Sequence, residues 1–274
     1  MEILPLFELT LLALALAMAG LVTGFLAGLL GIGGGGMLAP VLYEVFGALG
    51  VEEAARMHLA VGTSLAAMVP TTMRSFAAHR ARGSVDLDFV RRYRLPILAG
   101  VMLGIIVAGY ASGTALKLIW IVAGTLLALR LYLGRDDWRL GKDIPNSRLV
   151  EAYLAVVGFL STLMSTGGGA LISMLMTLYG RSILQAVSTS SGAGPLIAIP
   201  GALGFVWAGW GASGLPPGSL GYVSLLGILV IVPASVFAAP WGVRLAHGLP
   251  RRHLELAFAT FLMVIAMRFL WTLL

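Results

Sequence analysis

The feature that most constrains this chain is a stretch of 62 residues, Ser182 to Val243, that contains no Asp, Glu, Lys, Arg or His. The whole chain has only 11% charged residues and a mean hydropathy of +0.96, whereas soluble domains average about 25% charged residues. A segment this long and apolar is typical of a bilayer-embedded protein. Its apolar residues are continuous rather than alternating, which favours helices over a β-barrel. The predicted fold class is an all-α, polytopic membrane protein.

Composition also excludes several classes of function. The chain has no cysteine, which rules out disulfides, thiolate catalysis and Cys-ligated metals. Its formal net charge is +6, but Lys and Arg in a membrane protein collect in cytoplasmic loops and do not indicate nucleic-acid binding. We therefore expect the lipid bilayer as a partner, and no nucleic acid, metal or cofactor.

Two glycine motifs interrupt the apolar sequence. The first is the run from Gly31 to Gly36, and the second contains Gly167-Gly168-Gly169. Glycine allows the backbone to turn or to approach a neighbour closely, so each motif predicts a break followed by a short helix. The alternative is plain close packing of helices, for which glycine is common in membranes.

The remaining apolar segments predict a helical bundle. Pro70 is expected to kink the third helix, and Pro195 and Pro200 to break or bend the eighth. The two short helices fall below the roughly 20 residues that a span requires, which suggests about eight full spans plus two re-entrant or discontinuous helices. The predicted helices cover about residues 3–30, 35–46, 52–78, 95–111, 115–133, 149–164, a short one ending at 179, one from 182, 220–243 and 252–273.

The two halves of the chain share motifs in the same order. Gly24-Phe25-Leu26 and Gly33-Gly34-Gly35 recur at an offset of 134, and the segment 60–64 resembles 186–190 at an offset of 126. This pattern predicts a duplication, with repeats at 1–134 and 149–274 joined by a polar linker at 135–148.

Charge predicts the orientation. The segments 79–94, 135–148 and 244–253 hold twelve of the eighteen Lys and Arg residues, which predicts that these segments lie in the cytoplasm. Both termini then lie outside, and the second half is inverted relative to the first. Inverted repeats are a common plan of secondary transporters, whose sites lie where discontinuous helices meet.

These features predict an anion site between the two glycine motifs. A helix that starts inside the membrane directs free N–H groups and a positive dipole end at an anion, and nearby hydroxyls and the intramembrane Arg74 can add donors. The alternatives are hydroxyls bonded to their own helices and an Arg74 that reaches the membrane surface. The candidate substrate-binding residues are Gly33, Gly34, Gly35, Gly36, Thr63, Ser64, Arg74, Gly167, Gly168, Gly169, Thr189 and Ser190.

The sequence resembles a known family at these motifs. Residues 24–35, Pro40 and the Ala-Val-Gly-Thr-Ser of 60–64 are similar to the TauE/SafE family of anion exporters, and Gly167–Gly169 with 186–190 resembles that family's second half. The resemblance implies a transporter, not an enzyme, that exports sulfite or a small organosulfonate such as sulfoacetate across a bacterial inner membrane.

Other functions stay open at this stage. An anion channel or importer of the same fold, a proton-coupled mechanism and a homodimer are all compatible with the sequence. An intramembrane serine protease using Ser213 and His247 is a remote alternative, because the two residues are predicted on opposite faces. A nucleotide-binding loop fails for lack of a Gly-Lys-Ser/Thr and of a βαβ unit.

Overall fold

The computed structural model describes residues 6–30, 35–134, 139–247 and 251–273. Within these ranges the chain forms eleven α-helices and one small β-hairpin, so the all-α prediction is confirmed. The elements are α1 (Leu6–Leu30), α2 (Gly35–Ala48), α3 (Glu53–Ala81), α4 (Leu87–Tyr110), α5 (Gly113–Leu133), α6 (Arg148–Met164), α7 (Gly169–Leu178), α8 (Ile183–Ser190), α9 (Ala193–Ala208), β1 (Ser219–Leu220), β2 (Val223–Ser224), α10 (Leu225–His247) and α11 (Arg251–Trp271).

Several of these helices have the dimensions of membrane spans. In the described part of the chain, four segments are long and apolar enough to cross a bilayer: Leu87–Tyr110, Gly113–Leu133, Ile183–Ala208 and Leu225–Gly242. α1, α2 and α7 contribute shorter apolar stretches. The chain is thus a multi-pass membrane protein.

The helix α4 begins earlier than the sequence predicts. It starts at Leu87 rather than near Leu95, so the prediction that the whole basic segment 79–94 is a loop is wrong. The Asp86 side chain accepts a hydrogen bond of 2.9 Å from the backbone N–H of Phe89, which is a typical N-cap. Arginine side chains can extend into water from a helical backbone, so their charge does not prevent the helix.

The predicted break in the eighth helix is present but lies elsewhere. α8 ends at Ser190 and α9 begins at Ala193, so the interruption precedes both predicted prolines. Pro195 occupies the first turn of α9, where its missing N–H costs no helical hydrogen bond. Pro200 lies inside α9 without ending it.

The helices α6 and α7 form a hairpin that returns to its starting side. α6 begins directly after the linker, and the end of α7 is bound to that same linker. The Leu140 N–H donates to the carbonyl of Leu178 at 2.8 Å, and Arg181 pairs with Asp143 at 3.2 Å. The second glycine motif is therefore the tip of this hairpin.

Helices from the two halves pack closely in pairs. α1 lies against α10, α6 against α4, α5 against α11 and α3 against α9. Gly24 of α1 contacts the backbone of Ser235 in α10, and Gly158 of α6 contacts the backbone of Ile97 in α4, with no room for a Cβ at either glycine. At these two positions the glycines serve close helix packing.

Candidate functional site

The second glycine motif is held in an unusual backbone conformation. α6 ends at Met164, and the next residue, Ser165, is left-handed with φ of 52°. Gly167 and Gly168 follow with φ of 66° and 71°. Only glycine adopts this region without strain, so the motif is required for the turn that leads into α7.

The start of α7 lacks a side-chain cap. Gly168 is its N-cap and has no side chain that could accept a hydrogen bond from the first turn. The first N–H groups of a helix have no partner within that helix, and together with the helix dipole they attract negative charge. The tip of the hairpin therefore carries donors suited to an oxyanion.

Four hydroxyl side chains surround this tip, and we call Ser64, Ser161, Ser165 and Thr166 the hydroxyl cluster. Ser165 donates to Ser64 of α3 at 2.9 Å, and Thr166 donates to Ser161 at 3.4 Å. Ser64, Ser161 and Ser165 have no exposed surface. The cluster thus joins α3 of the first half to the break in the second half, in a closed arrangement.

The first glycine motif lies beside this cluster. A Cβ placed on Gly36, in the first turn of α2, would lie 2.8 Å from Thr166 Cγ2. Gly33 and Gly34 lie outside the described residues, and Gly35 forms the first residue of α2. The described end of the first motif and the tip of the second are therefore neighbours in space.

Thr63 and Thr189 have a different and matching contact. Thr63 accepts the backbone N–H of Ser224 at 2.9 Å, directly before α10. Thr189 accepts the backbone N–H of Asp86 at 2.9 Å, directly before α4. Each threonine hydroxyl is thus engaged at the start of a helix from the other half of the chain.

The remaining predicted residues do not join the hydroxyl cluster through any hydrogen bond that the described residues show. Ser190 bonds to Ser173 at 3.0 Å and to the carbonyl of Val187 at 2.9 Å. Arg74 is exposed on α3. Among the described contacts, Ser64 is the predicted hydroxyl that is bonded at the tip, where Gly167 and Gly168 form the turn and Gly169 begins α7.

Sequence reasoning missed the rest of the hydroxyl cluster. Ser165 and Thr166 directly precede the second glycine motif, and Ser161 lies one turn before them on α6. Their position beside the glycines was the available signal. The helical period was needed to place Ser161 beside Ser165, because residues three or four apart share one face of a helix.

A charged cluster near the starts of α3 and α5 was also missed. Lys117 of α5 is buried to 1% exposure and pairs with Glu53. Tyr43 donates to the same carboxylate at 2.7 Å, and Arg56 pairs with it at 2.9 Å. A single lysine within an apolar helix was the signal for this cluster, which ties α2, α3 and α5 together.

His58 is buried and packs against other elements of the fold. It is 4% exposed, its Nε2 lies 3.1 Å from the carbonyl of Ala108 and 3.0 Å from that of Ala111, and its ring stacks on Tyr222 at 4.8 Å. These contacts fix α3 against the end of α4.

The protease alternative loses its geometric basis. Ser213 precedes α10 and His247 ends it, and α10 has 23 residues, which corresponds to about 34 Å. A nucleophile and its base must lie within hydrogen-bond reach.

Among the described residues, no group of three His, Cys, Asp or Glu side chains is placed to hold a metal.

Known proteins resemble this chain over nearly its whole length. A protein of Haemophilus influenzae described as a probable membrane transporter is 33% identical over 256 residues, covering 91% of this chain and 94% of the relative. A probable membrane transporter of Methanocaldococcus jannaschii is 25% identical over 271 residues, covering 95% and 96%. No solved structure gives a significant match.

The apolar helices and these relatives define a membrane transporter. The sequence matches the family described as "Sulfite exporter TauE/SafE" over residues 16–269. The chain belongs to the TauE/SafE family.

Proposed function

We propose that this protein exports a small oxyanion, with sulfite or a small organosulfonate such as sulfoacetate favoured, across the cytoplasmic membrane by alternating access. The observation that carries the proposal is the meeting of Gly36 with Thr166 beside the uncapped start of α7. The family description supports sulfite as the first substrate to test.

The donors at this place suit an oxyanion that must be released again. Helix N–H groups and hydroxyls each donate to oxygen without a fixed positive charge. A sulfite or sulfonate group presents three oxygens to such donors. A neutral set of donors holds the anion less tightly than a buried cation would, which favours turnover over retention.

We also propose that the two halves form inverted repeats. If each helix is replaced by its counterpart in the other half, the α1–α10 pair becomes the α6–α4 pair. The α3–α9 and α5–α11 pairs are each unchanged by this replacement. The same exchange turns the Thr63–Ser224 contact into the Thr189–Asp86 contact, both at 2.9 Å. Two unrelated halves would have no reason to share both sets of contacts. These shared contacts therefore support the duplication.

Burial of the hydroxyl cluster supports a transport mechanism in which the two halves of the protein move relative to each other. Ser64 and Ser165 have no exposed surface, so a substrate reaches them only if helices of the two halves separate. Alternating access is achieved in many inverted-repeat transporters when one repeat rocks against the other. In this proposal the Ser64–Ser165 hydrogen bond breaks when the site opens.

Transport from proteoliposomes tests the function. Purified protein is reconstituted with labelled sulfite inside, and efflux is measured with and without an imposed pH gradient, with sulfoacetate as a competitor and protein-free liposomes as the control. We expect saturable efflux that sulfoacetate inhibits. A dependence on the gradient would support proton coupling, and indifference to it would support a uniporter or channel. Efflux no faster than from protein-free liposomes would contradict the proposed substrate.

A further inference from the structure

An apolar groove opens between α5 and the α6–α7 hairpin. Its volume is about 530 Å³, within the range of about 300–1,000 Å³ that is usual for small-molecule sites. Arg130 and Thr166 are its polar lining residues, and the other lining side chains are apolar. Leu118, Val122 and Leu126 form its α5 wall, and Phe159 and Met174 belong to the opposite wall.

The length of the groove matches one leaflet of a bilayer. Leu118, Val122, Leu126 and Arg130 are spaced four residues apart, so they form one stripe along α5. Twelve residues of helix rise about 18 Å, and half of a hydrocarbon core is about 15 Å. Leu118, Val122 and Leu126 are each about half exposed, so this wall faces the membrane.

The charged end of the groove lies where a lipid headgroup would be. Arg130 is in the last turn of α5, and its guanidinium lies against Gly134, the last residue before the linker. Basic side chains at the end of a span lie at the level of lipid phosphates and attract them.

The geometry points to a phospholipid bound in this groove, with one acyl chain along Leu118, Val122 and Leu126 and its phosphate beside Arg130. A phospholipid has an acyl chain that suits the apolar channel and a phosphate that suits a basic side chain at its end. A second copy of the chain does not suit the narrow concave shape, since stable protein interfaces bury about 1,200 Å² or more of matched surface.

The bound lipid would touch the proposed transport site. Thr166 belongs both to the groove lining and to the hydroxyl cluster. An acyl chain there would support the α6–α7 hairpin against α5. This site for lipid does not depend on which anion the protein carries.

Native mass spectrometry of the purified protein in detergent with phosphatidylglycerol tests the site. Leu126→Trp fills the groove, and Leu129→Trp is the matched control, because Leu129 is an exposed neighbour on α5 that is not among the lining residues. Arg130→Gln removes the charge. Soluble glycerol 3-phosphate and inorganic phosphate serve as probes without an acyl chain.

We expect one tightly retained phosphatidylglycerol in the wild type and in Leu129→Trp. Leu126→Trp should lose it, and Arg130→Gln should bind about fivefold more weakly. The soluble phosphates should not compete. Equal retention in Leu126→Trp and Leu129→Trp would overturn the proposal, as would equally strong binding of glycerol 3-phosphate. A wild-type dimer that Leu126→Trp converts to a monomer without change in bound lipid would assign the groove to a second copy instead. Circular dichroism verifies that each variant is folded.

Discussion

The pair formed by Glu53 and Lys117 gives an asymmetric prediction about stability. Lys117 is buried to 1% exposure, whereas the Glu53 side chain is 53% exposed. Glu53→Gln leaves a buried ammonium without its carboxylate. Removing one partner of a fully buried pair costs about 3–5 kcal/mol, and the solvent exposure of Glu53 reduces this to about 2 kcal/mol.

The opposite substitution should behave differently. Lys117→Met removes the buried charge and fills the same space with an apolar chain, so it leaves no buried charge uncompensated. Glu53 then keeps Arg56 at 2.9 Å and the Tyr43 hydroxyl at 2.7 Å. The unfolding free energy of Lys117→Met should therefore equal or exceed that of the wild type.

Reversible unfolding in mixed micelles, followed by tryptophan fluorescence, measures these free energies. The double variant Glu53→Gln/Lys117→Met completes the cycle and should recover most of the stability that Glu53→Gln loses. The reasoning fails if Lys117→Met destabilises as much as Glu53→Gln, or if Glu53→Gln has no effect.

Three further predictions concern the repeat, the turn and the orientation. Thr63→Val and Thr189→Val each remove an acceptor for an N–H at a helix start, so both should lower thermal stability by a similar amount, about 1 kcal/mol, whereas unequal losses would argue against equivalent halves. Gly168→Ala places a Cβ at φ of 71° and 2.9 Å from Ile197, so it should cost more than 1 kcal/mol in the same measurement. Because the chain has no native cysteine, Asn146→Cys and Ser213→Cys can be labelled singly in intact cells with an impermeant maleimide. Only Ser213→Cys should react, and labelling of Asn146→Cys would reverse the predicted orientation.

Local features of the fold could be predicted from the sequence. The second glycine motif predicted the break before α7, and the length of the apolar segments predicted the helices; residues 31–34 of the first motif lie outside the described residues. The break in the eighth helix was predicted at the wrong place because of Pro195. A proline can end a helix, but it is equally compatible with the first turn of one. The basic segment before Leu95 misled the start of α4, because charge density does not distinguish an exposed helix from a loop.

The contacts of the site could not be predicted, because they join residues far apart in sequence. Ser64 meets Ser165 across 101 positions, and Lys117 meets Glu53 across 64. No period or motif within a helix encodes such partners. Ser64, Thr63 and Thr189 were all plausible donors from composition alone, and only the packing of the helices assigns Thr63 and Thr189 to helix starts.

Transport by variants at the contact between the two glycine motifs, where Gly36 lies against Thr166, tests the central claim most directly. Gly36→Leu would insert a side chain against Thr166, and Ser64→Ala removes a hydroxyl of the cluster. Gly109→Ala in α4 and Thr23→Val in α1 are controls: a Cβ on Gly109 would meet only Ala208, at 3.7 Å, and Thr23 bonds only within its own helix at Ala19 and Gly20 in the described contacts. Labelled sulfite efflux from proteoliposomes should fall at least tenfold (roughly 1.4 kcal/mol) in the first two variants and stay near wild type in the controls. Wild-type efflux in Gly36→Leu and Ser64→Ala, with both proteins folded, would contradict an anion path between the two glycine motifs.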